Sequence, residues 1–207
     1  MVEECNLFVL DFETTGLNPY LHDIIEVAIK KLTTNDYYQT LVRPSKLEPG
    51  IVRYIPPHIT NITNITDTMI ENESIEPEDA INNMMEYIQK RTKRGPIYII
   101  SHNGTTFDFI ILRRLMKKYG VSERLMNRLR YIDTILLSKL FIKEGRFRQK
   151  DLCKRYSIEN ENEHRALSDV NTLERIYIEL CREYSKEQRK EESEYYINNP
   201  NEIEHNL

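Results

Sequence analysis

Short apolar runs alternate with polar, turn-forming stretches along most of this chain. Leu7-Phe8-Val9-Leu10 reads as a buried strand, which Asp11 to Gly16 leaves and Asn18-Pro19 turns. Ile24 to Ile29 is a second strand. Asn35-Asp36 turns the chain into a third, Tyr37 to Val42, which Pro44 ends. Three strands with such short connections predict an antiparallel meander. The stretch from about Ser45 to Glu76 is turn-rich and reads as irregular. Pro77 suits the first position of a helix whose Ala80, Ile81, Met84, Met85 and Ile88 recur at helical spacing, and Gly95-Pro96 stops it.

The second half alternates. Ile97 to Ile100 is a buried strand, followed by a helix from about Thr105 to Tyr119 with Gly120 at its end. Arg130 to Ile132 is a short strand leading into a helix that carries Ile135, Leu136 and Leu140. Residues 143–162 read as polar loop around a short helix, and a long helix runs from about Ala166 to Glu187. Residues 188–207, rich in Glu, Asn and Tyr, read as a mobile tail or a weak helix extension. The expected architecture is therefore α/β, a mixed central sheet flanked by helices, in a single domain over residues 1–187.

Composition narrows the setting. A chain of 207 residues suits one domain. Its net charge of -4 does not advertise nucleic acid, so any such binding must come from a local patch or from metal ions. No run approaches the ~20 apolar residues of a membrane span, and the acidic first residues do not resemble a secretory signal. Cys5, Cys153 and Cys181 are far apart and odd in number, which fits a reduced intracellular compartment, cytoplasmic or nuclear. In such a setting the sequons at Asn61, Asn64 and Asn72 stay unmodified. The high Ile, Asn and Lys content would suit an AT-rich genome, including that of a large DNA virus.

The chemistry lies in acids on apolar surfaces. Asp11 and Glu13, two apart at a strand end, point the same way, about 6–7 Å apart. Such a pair is costly unless a cation sits between them, or unless the strand end is solvated. Asp108 falls inside the apolar stripe of Phe107, Ile111, Leu112, Leu115 and Met116. The helix macrodipole would favour an acid there but does not explain why it faces inward. Asp169 lies on the same face as Leu173, Ile176, Tyr177, Leu180 and Tyr184, while Ser168 is placed to cap that helix. A single buried acid can be a hydrogen-bonded core group. Four converging on one sheet specify a hard-cation site for Mg²⁺ or Mn²⁺. His164, five residues before Asp169, is then a candidate general base.

Read in order, Asp11-Phe12-Glu13-Thr14-Thr15-Gly16, His102-Asn103-Gly104-Thr105-Thr106-Phe107-Asp108 and His164-Arg165-Ala166-Leu167-Ser168-Asp169 resemble the three motifs of the DEDDh (DnaQ-like) 3′→5′ exonucleases. Ile132-Asp133-Thr134 resembles a strand-to-helix junction common in that family. The resemblance covers about residues 7–183. It implies an RNase H-like fold and metal-dependent hydrolysis of nucleic-acid 3′ ends to nucleoside 5′-monophosphates. It implies two Mg²⁺ or Mn²⁺ ions held by Asp11, Glu13, Asp108 and Asp169, with His164 as base. Thr14, Thr15, Gly16 and Leu17 would pack against the 3′-terminal nucleotide, and Asn103 and Phe107 would border the substrate groove. The implied partners are single-stranded or frayed 3′ ends, DNA ahead of RNA, and a polymerase or replication complex.

Lys143, Arg146, Arg148, Lys150, Lys154 and Arg155 cluster just before His164, with Phe147 among them. They form either a patch for the nucleic-acid backbone, with Arg146 and Arg148 as its candidate contacts, or a solvated helix and loop. Two other functional readings stand beside the exonuclease. One is a non-catalytic RNase H-like module that binds nucleic acid or a polymerase; the other is an interaction protein whose buried acids are merely hydrogen-bonded.

Overall fold

The computed structural model describes residues 6–45, 55–159 and 164–198, with side chains up to residue 190. Cys5, the polar loop at 160–163 and the last part of the expected tail, 199–207, lie outside the described residues.

The three apolar runs of the first half form β1 (Leu7–Thr14), β2 (Ile24–Lys31) and β3 (Tyr37–Leu41). Those of the second half form β4 (Ile97–Ser101) and β5 (Leu129–Asp133). They build one five-stranded sheet in the order β3-β2-β1-β4-β5. The first three strands are the expected antiparallel meander, and β4 and β5 add in parallel to β1. The sheet is thus mixed, with β1 at its centre. The carboxyl ends of β1, β4 and β5 share one edge.

Strand alternation divides β1 between two cores. Phe8, Leu10 and Phe12 pack with α3 (Pro77–Lys90) and α4 (Asp108–Lys118). Val9 packs on the other face with Ala28, Ile100 and Ala166, Val170 and Leu173 of α8 (Ala166–Asn198). Asp11 and Glu13 continue the parity of Val9, so they aim at the start of α8.

Other helices fill in around this frame. Two of them, α1 (Pro57–Thr63) and α2 (Asp67–Glu73), occupy the stretch read as irregular, and their Ile59 and Ile70 pack with Ile25 and Leu41 of the sheet. Seven residues each are too few to display a helical period, but local chemistry marks them. Pro57 opens α1, Asn64 ends it in the left-handed region at φ 58°, and the Thr66 hydroxyl accepts from the Met69 N–H at 3.2 Å to cap α2. A single turn, α5 (Glu123–Met126), also went unread. Helix α6 (Thr134–Lys139) buries Thr134 and Ser138 and leaves Leu136 and the following Leu140 exposed. Helix α7 (Gln149–Tyr156) packs Leu152 and Cys153 against Ile176 and Leu180 of α8. No helix among the described residues is long and apolar enough to cross a membrane.

Buried ion pairs pin α8 to β2. The Lys30 ammonium donates to Glu174 at 2.5 Å and to the Asn171 Oδ1 at 2.9 Å. Glu26, only 1% exposed, accepts from the Arg165 Nη2 at 2.8 Å and from the Ala166 N–H at 3.0 Å; the Gln39 amide on β3 adds a third donor at 2.7 Å. The first N–H of α8 is therefore satisfied by an acid from the sheet, not by Ser168 as the local pattern suggests. Replacing Arg165 by Met leaves Glu26 short of its countercharge. Because Arg165 is partly exposed, the expected loss lies at the low end for a broken buried pair, about 3 kcal/mol, read as a lowered urea midpoint with unchanged slope.

Candidate active site

The acids meet where strand ends and helix starts converge. Asp11 and Glu13 leave the carboxyl end of β1, where a register shift between Glu13 and Thr14 breaks the ladder. Asp169 projects from the first turn of α8. Carboxylate oxygens of these three lie within 4.8 Å of one another. Asp108, the first residue of α4, is 3% exposed, and its Oδ1 is buried without a hydrogen-bond partner. It stands outside the tight trio but lines the same cleft of about 500 Å³.

Backbone geometry holds each acid in place. The loop before α4 is tied down by Asp133, which accepts from the N–H groups of Asn103 (3.2 Å), Thr105 (2.9 Å) and Ile135 (2.9 Å). Asn103 takes the left-handed conformation at φ 59°. Gly104 lies so close to the Phe109 ring that a Cβ there would sit 2.6 Å from it, so only glycine lets the loop approach. These ties delay α4 to Asp108, three residues beyond the expected start, and bring that carboxyl to the sheet edge.

Asp169 is gripped at both oxygens. Oδ2 accepts from the His164 N–H at 2.9 Å and Oδ1 from the Gln149 amide at 3.1 Å. His164 is exposed, left-handed at φ 67°, and on the wall of the cleft. One carboxylate thus sets both a trio member and the backbone that presents the histidine.

Crowding shows in the protonation equilibria. Burial first, then the charges of Asp108, Glu13, Asp169 and Glu26, push the Asp11 carboxyl well above its ordinary range. Glu13 is pushed to about 8 by burial and by Asp169, Glu26 and Asp108, with Arg165 opposing. Burial lifts Asp108 to about 7 against the pull of the Asp108 and Phe12 N–H groups. An oxygen-rich trio and an unpartnered buried carboxylate oxygen fit a hard divalent cation, which would supply the missing positive charge.

The remaining expected residues divide. Leu17, Asn103, Phe107 and Arg148 line the cleft. Thr14, Thr15 and Gly16 do not; they are buried and build the loop from within. The Thr14 hydroxyl donates to the Gly16 carbonyl at 2.7 Å, the Thr15 hydroxyl accepts from the Asp23 N–H at 3.1 Å, and Gly16 packs under the His22 ring. It is Leu17, 89% exposed, that this loop presents. Arg146 lies outside the cleft, in a separate hollow beside Phe147 and Leu152. Arg155 of the same basic cluster is paired with Glu183.

Three more residues line the cleft: Gln149, which sequence reasoning passed over, Lys150, which it named only within the basic cluster, and His102, which it named only within the second motif. The His102 Nδ1 is 2.9 Å from the Thr134 hydroxyl, and burial lowers its pKa. Sequence reasoning also passed over Glu26, although an acid inside the run Ile24 to Ile29 is the same signal that marked Asp11.

A family model described as Exonuclease (RNase_T) matches residues 8–177. The chain belongs to the exonuclease family. This exonuclease domain is 31% identical over 182 residues to a DNA polymerase III PolC-type protein of Thermotoga petrophila, covering 85% of this chain and 12% of that protein. It is 30% identical over 184 residues to Exonuclease DPD1, chloroplastic/mitochondrial, of Arabidopsis thaliana, covering 84% of this chain and 55% of that protein. The chain therefore spans less than two thirds of either relative's length. In fold it matches E. coli exonuclease I crystallised with a dT13 oligonucleotide, with a TM-score of 0.67 at 17% identity over 84% of this chain and 40% of that one. The exonuclease domain thus has the RNase H-like fold expected from its motifs.

The raised carboxyls give the metal-free exonuclease domain a definite pH dependence. A carboxyl whose folded pKa exceeds its unfolded value stabilises most below the unfolded value and loses that contribution as pH rises through the folded one. For Glu13 the window runs from 4.5 to about 8, and for Asp108 from 3.8 to about 7. In chelator, Tm should fall between these limits as pH rises. Mn²⁺ added at the alkaline end should restore it, and Asp169→Asn should make the fall shallower. Differential scanning calorimetry across that range reads all three.

Proposed function

We propose that this domain is a divalent-metal-dependent 3′→5′ exonuclease that trims DNA ends to nucleoside 5′-monophosphates. The observation that carries the reading is the trio of carboxylates within 4.8 Å beside a buried, unpartnered Asp108 oxygen, with His164 on the wall of the same cleft. Asp11, Glu13 and Asp169 would hold two Mg²⁺ or Mn²⁺ ions, and Asp108 would complete the set. Bound ions of this kind supply a water acidic enough to ionise near neutral pH and a countercharge for the leaving oxygen.

The chain's own residues do the rest. An imidazole nitrogen of His164 takes the proton of the attacking water, and its exposure lets it pass that proton to solvent. Gln149 and the His164 N–H fix the Asp169 carboxylate so that it does not reorient between turnovers. Leu17 and Phe107 give the terminal nucleotide an apolar seat, Asn103 a polar contact, and Arg148 and Lys150 a positive wall for the strand's phosphates. A role for Arg146 would have to lie further along the strand.

DNA is favoured over RNA because the relatives include a protein named as a DNA polymerase and the structural neighbour was crystallised with a deoxyoligonucleotide. The same relatives support an intracellular setting and make a replicative polymerase a fitting partner.

Digestion of end-labelled single-stranded DNA, duplex DNA with a mismatched 3′ end, and RNA tests the reading. With Mg²⁺ or Mn²⁺, stepwise loss of 5′-mononucleotides from the DNA 3′ end is expected, and none with chelator; binding without cleavage would support the non-catalytic module instead. His164→Ala should slow cleavage about 10²–10⁴-fold while leaving Mn²⁺ binding intact by calorimetry. Asp11→Asn should abolish both cleavage and tight Mn²⁺ binding without unfolding the domain, as read by circular dichroism.

A further inference from the structure

The loop joining β1 to β2 carries an unusual amount of exposed apolar surface. Among the described residues, eight large hydrophobic side chains are exposed, and three of them fall within this one loop: Leu17 at 89%, Tyr20 at 66% and Leu21 at 75%. Leu17 lines the cleft. Tyr20 and Leu21, three and four residues further along the same loop, stay outside the cleft lining.

The loop is built to hold them out. The Asn18 side chain accepts from the Tyr20 N–H at 3.0 Å, and the Asn18 carbonyl accepts from the N–H groups of Leu21 (3.2 Å) and His22 (3.0 Å). At the base, the Thr15 N–H donates to the Asp23 carbonyl at 2.9 Å, and the Arg114 guanidinium donates to the His22 carbonyl at 2.5 Å. Exposed apolar side chains on a braced loop pay little ordering entropy when something docks on them.

The neighbouring chemistry selects what docks. The cleft floor is acidic and the chain carries a net charge of -4. Of the cationic side chains on the cleft wall, Arg148 is already paired with Asp151. The phosphates thus meet only Lys150 and an Arg148 that is shared with Asp151, and much of the hold on a strand must come from its uncharged parts, the bases. Base–aromatic stacking serves any sequence, because every base offers a π-face.

We propose that Tyr20 and Leu21 form a stacking ledge for the unpaired bases immediately 5′ of the terminal nucleotide. The inference rests on the exonuclease reading and deepens it: the ledge makes single-stranded or frayed ends the preferred substrate.

Two substrates separate the ledge from the reaction. Thymidine 5′-monophosphate 4-nitrophenyl ester fills the terminal seat alone, whereas an oligothymidylate of about ten nucleotides also reaches the ledge. In the doubly substituted Tyr20→Ala, Leu21→Ala protein, KM for the oligonucleotide should rise about tenfold to a hundredfold, while kcat/KM for the ester stays unchanged. Tyr20→Phe alone should keep the wild-type KM, since the ring and not the hydroxyl stacks. In Ca²⁺, 2-aminopurine placed one position 5′ of the end should be quenched on binding to the wild type and not to the double variant.

An unchanged oligonucleotide KM in the double variant, with both substrates still cleaved, overturns the ledge and leaves the exonuclease reading intact. So does a wild-type dimer that the double variant breaks, as read by light scattering, which would make this surface a protein interface. A wild type that hydrolyses neither substrate in Mg²⁺ or Mn²⁺ overturns the exonuclease reading, and the ledge with it.

Discussion

Mutual repulsion of carboxylates at the end of a central strand is the constraint that the rest of the molecule answers to. Asp11 and Glu13 share the parity of Val9, whose side chain is fully buried, so they cannot turn away without flipping the strand. Asp169 and Asp108 arrive from helices on opposite faces of the sheet. Each acid is thus delivered by an element whose other residues are committed to a core. The unfavourable charge is supported by packing elsewhere, and the cost surfaces as raised proton affinities, through burial first and then mutual repulsion at Asp11 and Glu13, and through burial at Asp108.

That support is distributed over long sequence separations. Glu26 and Arg165 are 139 residues apart, and Lys30 and Glu174 are 144 apart. Both pairs join β2 to α8, on either side of the turn that carries Asp169. Asp133 plays the corresponding part for Asp108, spending its carboxylate on three backbone N–H groups. Both arrangements use charged residues outside the cleft lining to hold its walls in position and leave the chemistry to others.

The strands, the long helices and the gathering of Asp11, Glu13, Asp108, His164 and Asp169 around one cleft were legible in the sequence, through local periods or through the motifs that carry them. A two-residue period forces Asp11 and Glu13 onto one face, and a helical period exposes Asp108 as an acid among apolar positions. What stayed hidden depends on partners chosen only in three dimensions. Gln149 looks like any polar residue opening a helix until Asp169 is seen against it. Glu26 sat in plain view as an acid in an apolar strand, yet its role as the anchor of α8 required Arg165 to be brought back from the far end of the chain. Thr14 and Thr15 carry the right motif but spend their hydroxyls inside the loop. Arg146 and Arg148 are neighbours in a basic cluster, and only the backbone direction into α7 decides that Arg148 meets the cleft. Leu136 and Leu140, the apolar residues expected on the helix after β5, are exposed, since Thr134 and Ser138 take the inward face of α6.

The anchoring of α8 by Glu26 has a consequence for modular redesign. The segment from His164 to Asp169 is compact enough to invite transplantation into a related scaffold, yet its latch is not in it. Glu26 lies on another strand, and the Gln39 amide that steadies it lies on a third. A chimaera that imports the motif without those two residues would receive the histidine and the aspartate on a helix whose first turn has lost its mooring.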